Sequence, residues 1–231
     1  MNRVIIILFI FYTFSSCESG NQTERITDSI GSDEKILTYE QIIDLYCDTV
    51  INNGKSYTGC NDYQTNFYII DENNDTIYKH DEWINSFEFT DFNNDGLYDV
   101  LLGYLTNVGG VYDLALFDNE INKFKLVENF KDFPDPKRID TTGFYYSYHK
   151  SGCADNIWDS DLFVINDFYA VKIGNIYGNG CFESGEIKIF ITKINGYKKK
   201  IIKEILIEPG NDFGKWDFIE GYWTKNYNKF R

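Results

Sequence analysis

From Asn66 onward the chain alternates apolar and polar residues in short runs broken by Asn, Asp and Gly. That period of two is the signature of half-buried strands. It predicts strands at 66–71, 76–79, 112–117, 144–149, 161–165, 170–176, 186–194 and 199–207. Two further segments read as strands, Phe87-Glu88-Phe89-Thr90 by its alternation and Val100-Leu101-Leu102-Gly103-Tyr104 as a short apolar run. Ahead of the strands the period changes. Thr38-Tyr39-Glu40-Gln41 has the form of a capping box, and Tyr39, Ile42, Ile43, Tyr46 and Val50 recur at helical spacing. The pattern predicts one amino-terminal helix, closed by the glycine of Asn52-Asn53-Gly54 in a left-handed cap. Many short strands at close spacing predict a mainly β fold, a propeller-like or sandwich-like antiparallel domain with that one helix. Nothing between 37 and 231 has linker composition, so this span is expected to be a single domain. Aromatic residues make up 18% of the chain, enough to fill β layers with bulk.

Between the two flanking runs lies Asp91-Phe92-Asn93-Asn94-Asp95-Gly96-Leu97-Tyr98-Asp99. Oxygen-bearing side chains stand at its first, third, fifth and ninth positions, and Ca²⁺ takes six to eight oxygen ligands. Gly96 permits the backbone to wrap, so the predicted ligands are Asp91, Asn93, Asp95, Asp99 and the carbonyl of Leu97. A helix-loop-helix site would require a bidentate Glu at the twelfth position, where Leu102 stands, so the prediction is a structural calcium loop between strands. The plainer alternative is that Asn-Asp-Gly makes only a hairpin turn. Asp71-Glu72-Asn73-Asn74-Asp75 echoes the loop without its glycine, and Lys79 occupies the ninth position. A cation there opposes a metal, and a plain turn is expected.

Residues 1–16 read as an export signal, with Arg3, an apolar stretch from Val4 to Phe11 and small Ser15-Ser16 ahead of Cys17. The apolar stretch falls short of the roughly 20 residues needed to span a bilayer. Residues 17–36 are polar, aperiodic and free of aromatics, the composition of a flexible tether. The remaining cysteines, Cys47, Cys60, Cys153 and Cys181, are even in number, which in an exported chain favours disulfides. Three pairings are possible. Cys47 with Cys60 and Cys153 with Cys181 is preferred because each closes a modest loop. The formal charge of −14 and the absence of a basic cluster with interleaved aromatics argue against a nucleic-acid partner. The single basic run, Lys198-Lys199-Lys200, reads as a strand edge guarded by lysines.

Two resemblances extend this picture. The amino terminus resembles a bacterial lipoprotein signal, which implies cleavage before Cys17, lipidation of Cys17 and anchoring in the bacterial cell envelope, periplasmic or outward facing. The segment from Phe87 to Gly103 resembles the calcium loops of FG-GAP and VCBS repeat proteins, although only one good copy occurs. With Gly109-Gly110-Val111-Tyr112, Leu116-Phe117-Asp118 and Phe144-Tyr145-Tyr146-Ser147, the layout is similar to single-loop, propeller-like bacterial envelope lipoproteins. Some of those are immunity proteins that block peptidoglycan hydrolases. The resemblance therefore implies a membrane association through lipid and a protein partner in the envelope, a peptidoglycan hydrolase being the implied type.

The leading functional expectation is accordingly a lipid-anchored protein-binding module. Its alternative is a carbohydrate-binding or adhesive surface protein in which Trp158, Trp216 and Trp223 serve as stacking platforms, since Asp155-Asn156-Ile157-Trp158-Asp159 and Trp216-Asp217 set aromatics beside polar acceptors. An enzyme is not expected. His80 and His149 are the only histidines, and no Gly-x-Ser-x-Gly elbow is present. His80 is expected to be a solvated turn residue and His149 a surface or edge residue.

Overall fold

The computed structural model describes residues 45–62, 66–209 and 213–231. The expected signal (1–16), tether (17–36), Cys17 and the capping box at Thr38 lie outside the described residues.

The described chain is mainly antiparallel β, in three sheets. The first is a meander of β1 (Leu45–Asn52), β2 (Lys55–Asp62), β3 (Asn66–Asp71) and β4 (Thr76–His80). The second repeats the form with β5 (Ser86–Thr90), β6 (Asp99–Gly103), β7 (Tyr112–Asp118) and β8 (Lys123–Leu126). Four strands in sequential antiparallel order is the form of a propeller blade. The third sheet contains β9 (Lys137–Arg138), β10 (Phe144–Tyr146), β11 (His149–Gly152), β12 (Ile157–Asn166), β13 (Tyr169–Asn179), β14 (Ile187–Asn195) and β15 (Lys198–Ile207). Its order is β15-β14-β13-β12-β10-β9, with β11 also paired to β12. Lys198 opens β15 at the edge of this sheet, where lysines discourage further pairing.

The predicted amino-terminal helix is corrected over its described part. Leu45–Asn52 is a strand, paired in unbroken register with β2 from Leu45 opposite Asp62 to Asn52 opposite Lys55. Asn53 (φ 53°) and Gly54 (φ 75°) form its two-residue turn. A tight hairpin wants positive φ at both central positions, and Asn-Gly supplies it. Cys47 and Cys60 stand directly opposite each other and are joined by a disulfide, with Cα atoms 4.1 Å apart. A helix over 45–52 would forfeit both the pairing and the bridge. The described residues place the helix instead at the carboxyl end, as α1 (Lys215–Asn226).

Three apolar layers hold these elements. Tyr57, Phe67 and Ile69 of the first sheet meet Phe87, Val100, Leu102, Ala115 and Phe117 of the second. On the opposite face of β7, Leu114 and Leu116 pack with Phe130, Phe133, Tyr145 and Phe163. The alternation along a strand thus serves two cores at once. Beyond the third sheet, Trp158, Leu162, Ile176, Ile189 and Ile191 are covered by Ile219 and Trp223 of α1 and by Phe230. Ile219 and Trp223 are four residues apart and so share one helix face.

Candidate functional site

The loop between β5 and β6 is built by its own side chains. Asp91 accepts hydrogen bonds from the backbone N–H groups of Asp95 through Oδ1 and Gly96 through Oδ2, each at 3.0 Å. Asn93 Oδ1 also accepts from Asp95 N–H at 3.0 Å, and Asp95 Oδ1 accepts from Leu97 N–H at 2.9 Å. Each short polar side chain captures an N–H ahead of it, which is why Asx residues recur at turns. Gly96 sits at φ 88°, the left-handed conformation expected of it. Asp91, Asn93 and Asp95 therefore curl together on the solvent side.

Asp99 takes a different place. It is fully buried, and its carboxylate lies beneath the loop, accepting from Phe92 N–H (3.0 Å), Asn93 N–H (3.4 Å) and Phe117 N–H (2.8 Å). Burial pushes its pKa up to about 7, against the pull of those N–H groups, and the charge of Asp95 adds to the rise. Among the described residues, no three acidic, His or Cys side chains converge as a metal-holding group. The donor chemistry of the loop, oxygen throughout, suits a hard divalent cation. The mutual repulsion of Asp95 and Asp99 fits the same ion.

The loop is tied to the end of the first hairpin, and that hairpin in turn to the segment beyond β7. Asn52, 1% exposed at the end of β1, donates from Nδ2 to the Tyr98 carbonyl at 2.9 Å and accepts from Tyr98 N–H at 2.8 Å. Asn53 Nδ2 donates to Asn119 Oδ1, beyond β7, at 2.6 Å. These asparagines escaped the sequence reading because Asn52-Asn53-Gly54 was assigned to a helix end, although the Asn-Gly pair was the available signal. The echo at Asp71 is a plain hairpin turn, with Asp71 Oδ1 accepting from Asn73 and Asp75 N–H.

His80 corrects a second expectation. It is 5% exposed, because the inward alternation of β4 ends on it. Its Nε2 lies 2.7 Å from Tyr104 Oη, which donates to Asp113 Oδ2 at 2.7 Å. Lys131 closes the cluster on Asp113 (3.1 Å) and Glu82 (2.6 Å). Burial lowers the His80 pKa and outweighs the attraction of Asp113. His149, on β11, is partly exposed and lies 3.8 Å from Asp159.

Two of the three tryptophan platforms are also corrected. Trp158, 2% exposed, points with Leu162 into the layer under α1, where a Cβ on Gly178 would overlap its ring. Trp223 is fully buried and donates from Nε1 to Ser160 Oγ at 2.8 Å. Trp216 remains 51% exposed, edge-on to Tyr148 with ring centroids 4.2 Å apart. Lys215 Nζ donates to Tyr148 Oη and to Asp155 Oδ2, each at 2.7 Å, and Tyr148 Oη donates to Asp155 Oδ1. Burial pushes the Asp155 carboxyl up, but the bonds from Lys215 and Tyr148 win and leave it below the usual range. Cys153 and Cys181 are joined, with Cα atoms 6.2 Å apart, so a disulfide holds the turn that carries Asp155. Asp155 and Lys215 are 60 residues apart, and no sequence pattern links them.

No family model matches the chain, and no curated protein matches it. The FG-GAP and VCBS resemblance therefore has no family match behind it. A solved structure titled "Structure of a Xanthomonas Type IV Secretion System related protein" is similar to the chain at a TM-score of 0.42 and 16% sequence identity, covering 69% of this chain and 90% of that one.

Proposed function

We propose that this chain is a lipid-anchored protein of the bacterial cell envelope that binds a protein partner, with Ca²⁺ as a structural ion in the Asp91–Asp99 loop. The observation that carries the reading is a chain of side-chain ties, from the loop at Tyr98 to Asn52 at the end of the first hairpin, and from Asn53 of that hairpin's turn on to Asn119. An ion held by Asp91, Asn93, Asp95, Asp99 and the Leu97 carbonyl would stiffen the loop, and through those ties one whole end of the first two sheets. A preordered surface loses less freedom on binding. Two disulfides support exposure to an oxidising compartment. Among the described residues no helix is long and apolar enough to cross a membrane, and the proposed attachment is the lipid on Cys17. The proposed partner class is a peptidoglycan hydrolase, bound by surface complementarity and without a catalytic step by this chain.

Calorimetric titration of Ca²⁺ into the protein, beside an Asp95→Ala, Asp99→Ala variant, tests the metal. One calcium-selective site lost in the variant is the expected result, and no heat from the wild type would end the calcium reading. The partner class is tested by adding the protein with calcium to hydrolases digesting purified peptidoglycan. Undiminished release of soluble fragments from every hydrolase tried would count against it.

A second reading, carbohydrate binding, is favoured by one specific observation. Trp216 keeps half its surface exposed beside the bonded Tyr148, Asp155 and Lys215.

A further inference from the structure

Between the second and third sheets lies a groove of about 410 Å³ whose walls include Gly110, Tyr112, Asp135, Tyr148, His149 and Asp155. That volume falls in the range of about 300–1,000 Å³ typical of small-molecule sites. Asp135 and Tyr148 also line a small neighbouring pocket of about 30 Å³ that reaches Trp216 and Glu220, where the Lys215 ammonium lies 4.9 Å from the centre of the Trp216 ring. We propose that this groove binds a neutral sugar ring, with Trp216 as its stacking platform and Asp155, Tyr148 and Lys215 reading its hydroxyls. The proposal rests on the carbohydrate reading above and assigns it a place.

Three features select this ligand class. The first is the combination of a half-exposed indole with fixed polar groups. An aromatic face packs against the C–H face of a sugar, and hydroxyls, being donors and acceptors at once, match a carboxylate set beside an ammonium group. The second is charge. The chain carries −14 overall, yet around the groove Asp135, Asp155 and Glu220 are matched by Lys137, Lys150 and Lys215. Lys215 is already bonded to Asp155, and Lys137 lies 3.8 Å from Asp135. A balanced lining offers little to a phosphate or a polycation, and suits an uncharged, polyhydroxylated ligand.

The third feature is preorganisation. The Cys153–Cys181 bridge anchors the turn bearing Asp155. Lys215 then locks the Tyr148 hydroxyl and the Asp155 carboxylate together from α1. On the opposite wall Asp135 N–H donates to the Gly110 carbonyl at 2.7 Å, and a Cβ on Gly110 would lie 2.7 Å from the Asp135 nitrogen. The loop after β6 is thus pressed directly onto the segment before β9. Groups fixed before binding lose little side-chain entropy when the ligand arrives.

The test is titration of the full chain with chitotetraose and with cellotetraose, followed by calorimetry and tryptophan fluorescence. Saturable binding of at least one probe is expected. Trp216→Ala and Asp155→Asn should each weaken it about tenfold, a loss of about 1.4 kcal/mol. Trp216→Phe should retain most of the affinity, and Trp83→Ala, outside the groove, should retain all of it. Melting curves of each variant separate lost contacts from lost fold, and Trp216→Phe carries the comparison if Trp216→Ala melts early. If neither oligosaccharide binds, the carbohydrate reading and the site fall together. If an oligosaccharide binds and the folded Trp216→Ala and Asp155→Asn variants bind it equally well, carbohydrate binding stands and this groove is not the place.

Discussion

Asn52 shows how much one side chain can decide. It is buried, and both ends of its amide are spent on the backbone of Tyr98. Asn52→Ala would remove both bonds to the backbone of the partly exposed Tyr98, at about 0.5–1.5 kcal/mol each. Urea unfolding should show that loss, and an unchanged midpoint would mean that water replaces the amide freely. His80 makes a prediction of the same scale with a pH sign. Burial holds its folded pKa below the ordinary value, against Asp113, Glu82 and Asp81, which pull it up, and with Lys131, which pushes it down. The unfolded chain therefore takes up the proton first. Stability from neutral His80 is present above about pH 6.5 and is lost as the pH falls from there towards the folded pKa. Buried Asp99, whose pKa is raised, acts with the opposite sign in this window, so the His80 effect is read as a difference: acidification should lower the melting temperature of the wild type relative to that of His80→Gln. A pH-independent difference between the two proteins would place the effect elsewhere.

At the scale of elements, the β1–β2 hairpin and the turn at Cys153 are each held by a disulfide, with unequal consequences. Cys47 and Cys60 join strands already paired along eight positions. Cys153 and Cys181 close a longer stretch, 28 residues apart, and secure a turn in which Cys153, Ala154 and Asp155 all have positive φ. Non-glycine residues resist that conformation, so the turn depends on its surroundings. Replacing both Cys153 and Cys181 with Ser should cost about 2–4 kcal/mol. It should also raise amide exchange at 150–156 ahead of global unfolding. Exchange that rises evenly over the chain would show that the bridge acts only through the unfolded state.

For the whole molecule, the stacked layers would limit the proposed calcium to stabilising one end rather than the fold. Aromatic and aliphatic side chains of the strands fill every layer, and the loop adds only the partly buried Leu97 and Phe92 to two of them. If the affinity is that of extracellular calcium modules, about 0.1 mM, then about 1 mM Ca²⁺ adds about 1.4 kcal/mol of stability. Melting with calcium and with a chelator should differ by that modest amount. Complete unfolding in chelator would make the ion part of the core.

How much of this was legible in the chain follows from the range of each interaction. Alternation of apolar and polar residues is local, so it marked most of the strands and the mainly β class. The Asx captures inside Asp91–Asp99 are also local, so the curled loop and its positive-φ glycine could be read directly. Local pattern failed where tertiary contacts overruled it. Tyr46 and Val50 fit a helical period, yet strand pairing, an Asn-Gly turn and a cross-strand disulfide claimed them. Lys215–Asn226 has the glycine and aromatics of a poor isolated helix, and the third sheet supplies the apolar surface that makes it worthwhile. The burial of His80, Trp158 and Trp223 depends on which faces meet, and no spacing records that. The Asn52–Tyr98 tie and the Asp155–Tyr148–Lys215 cluster join distant residues through hydrogen bonds only a few ångströms long. Sequence by itself determined most of the strands, the loop and the inventory of side chains; tertiary structure alone decided the first strand and which side chains meet, because burial and short-range bonding act on neighbours in space.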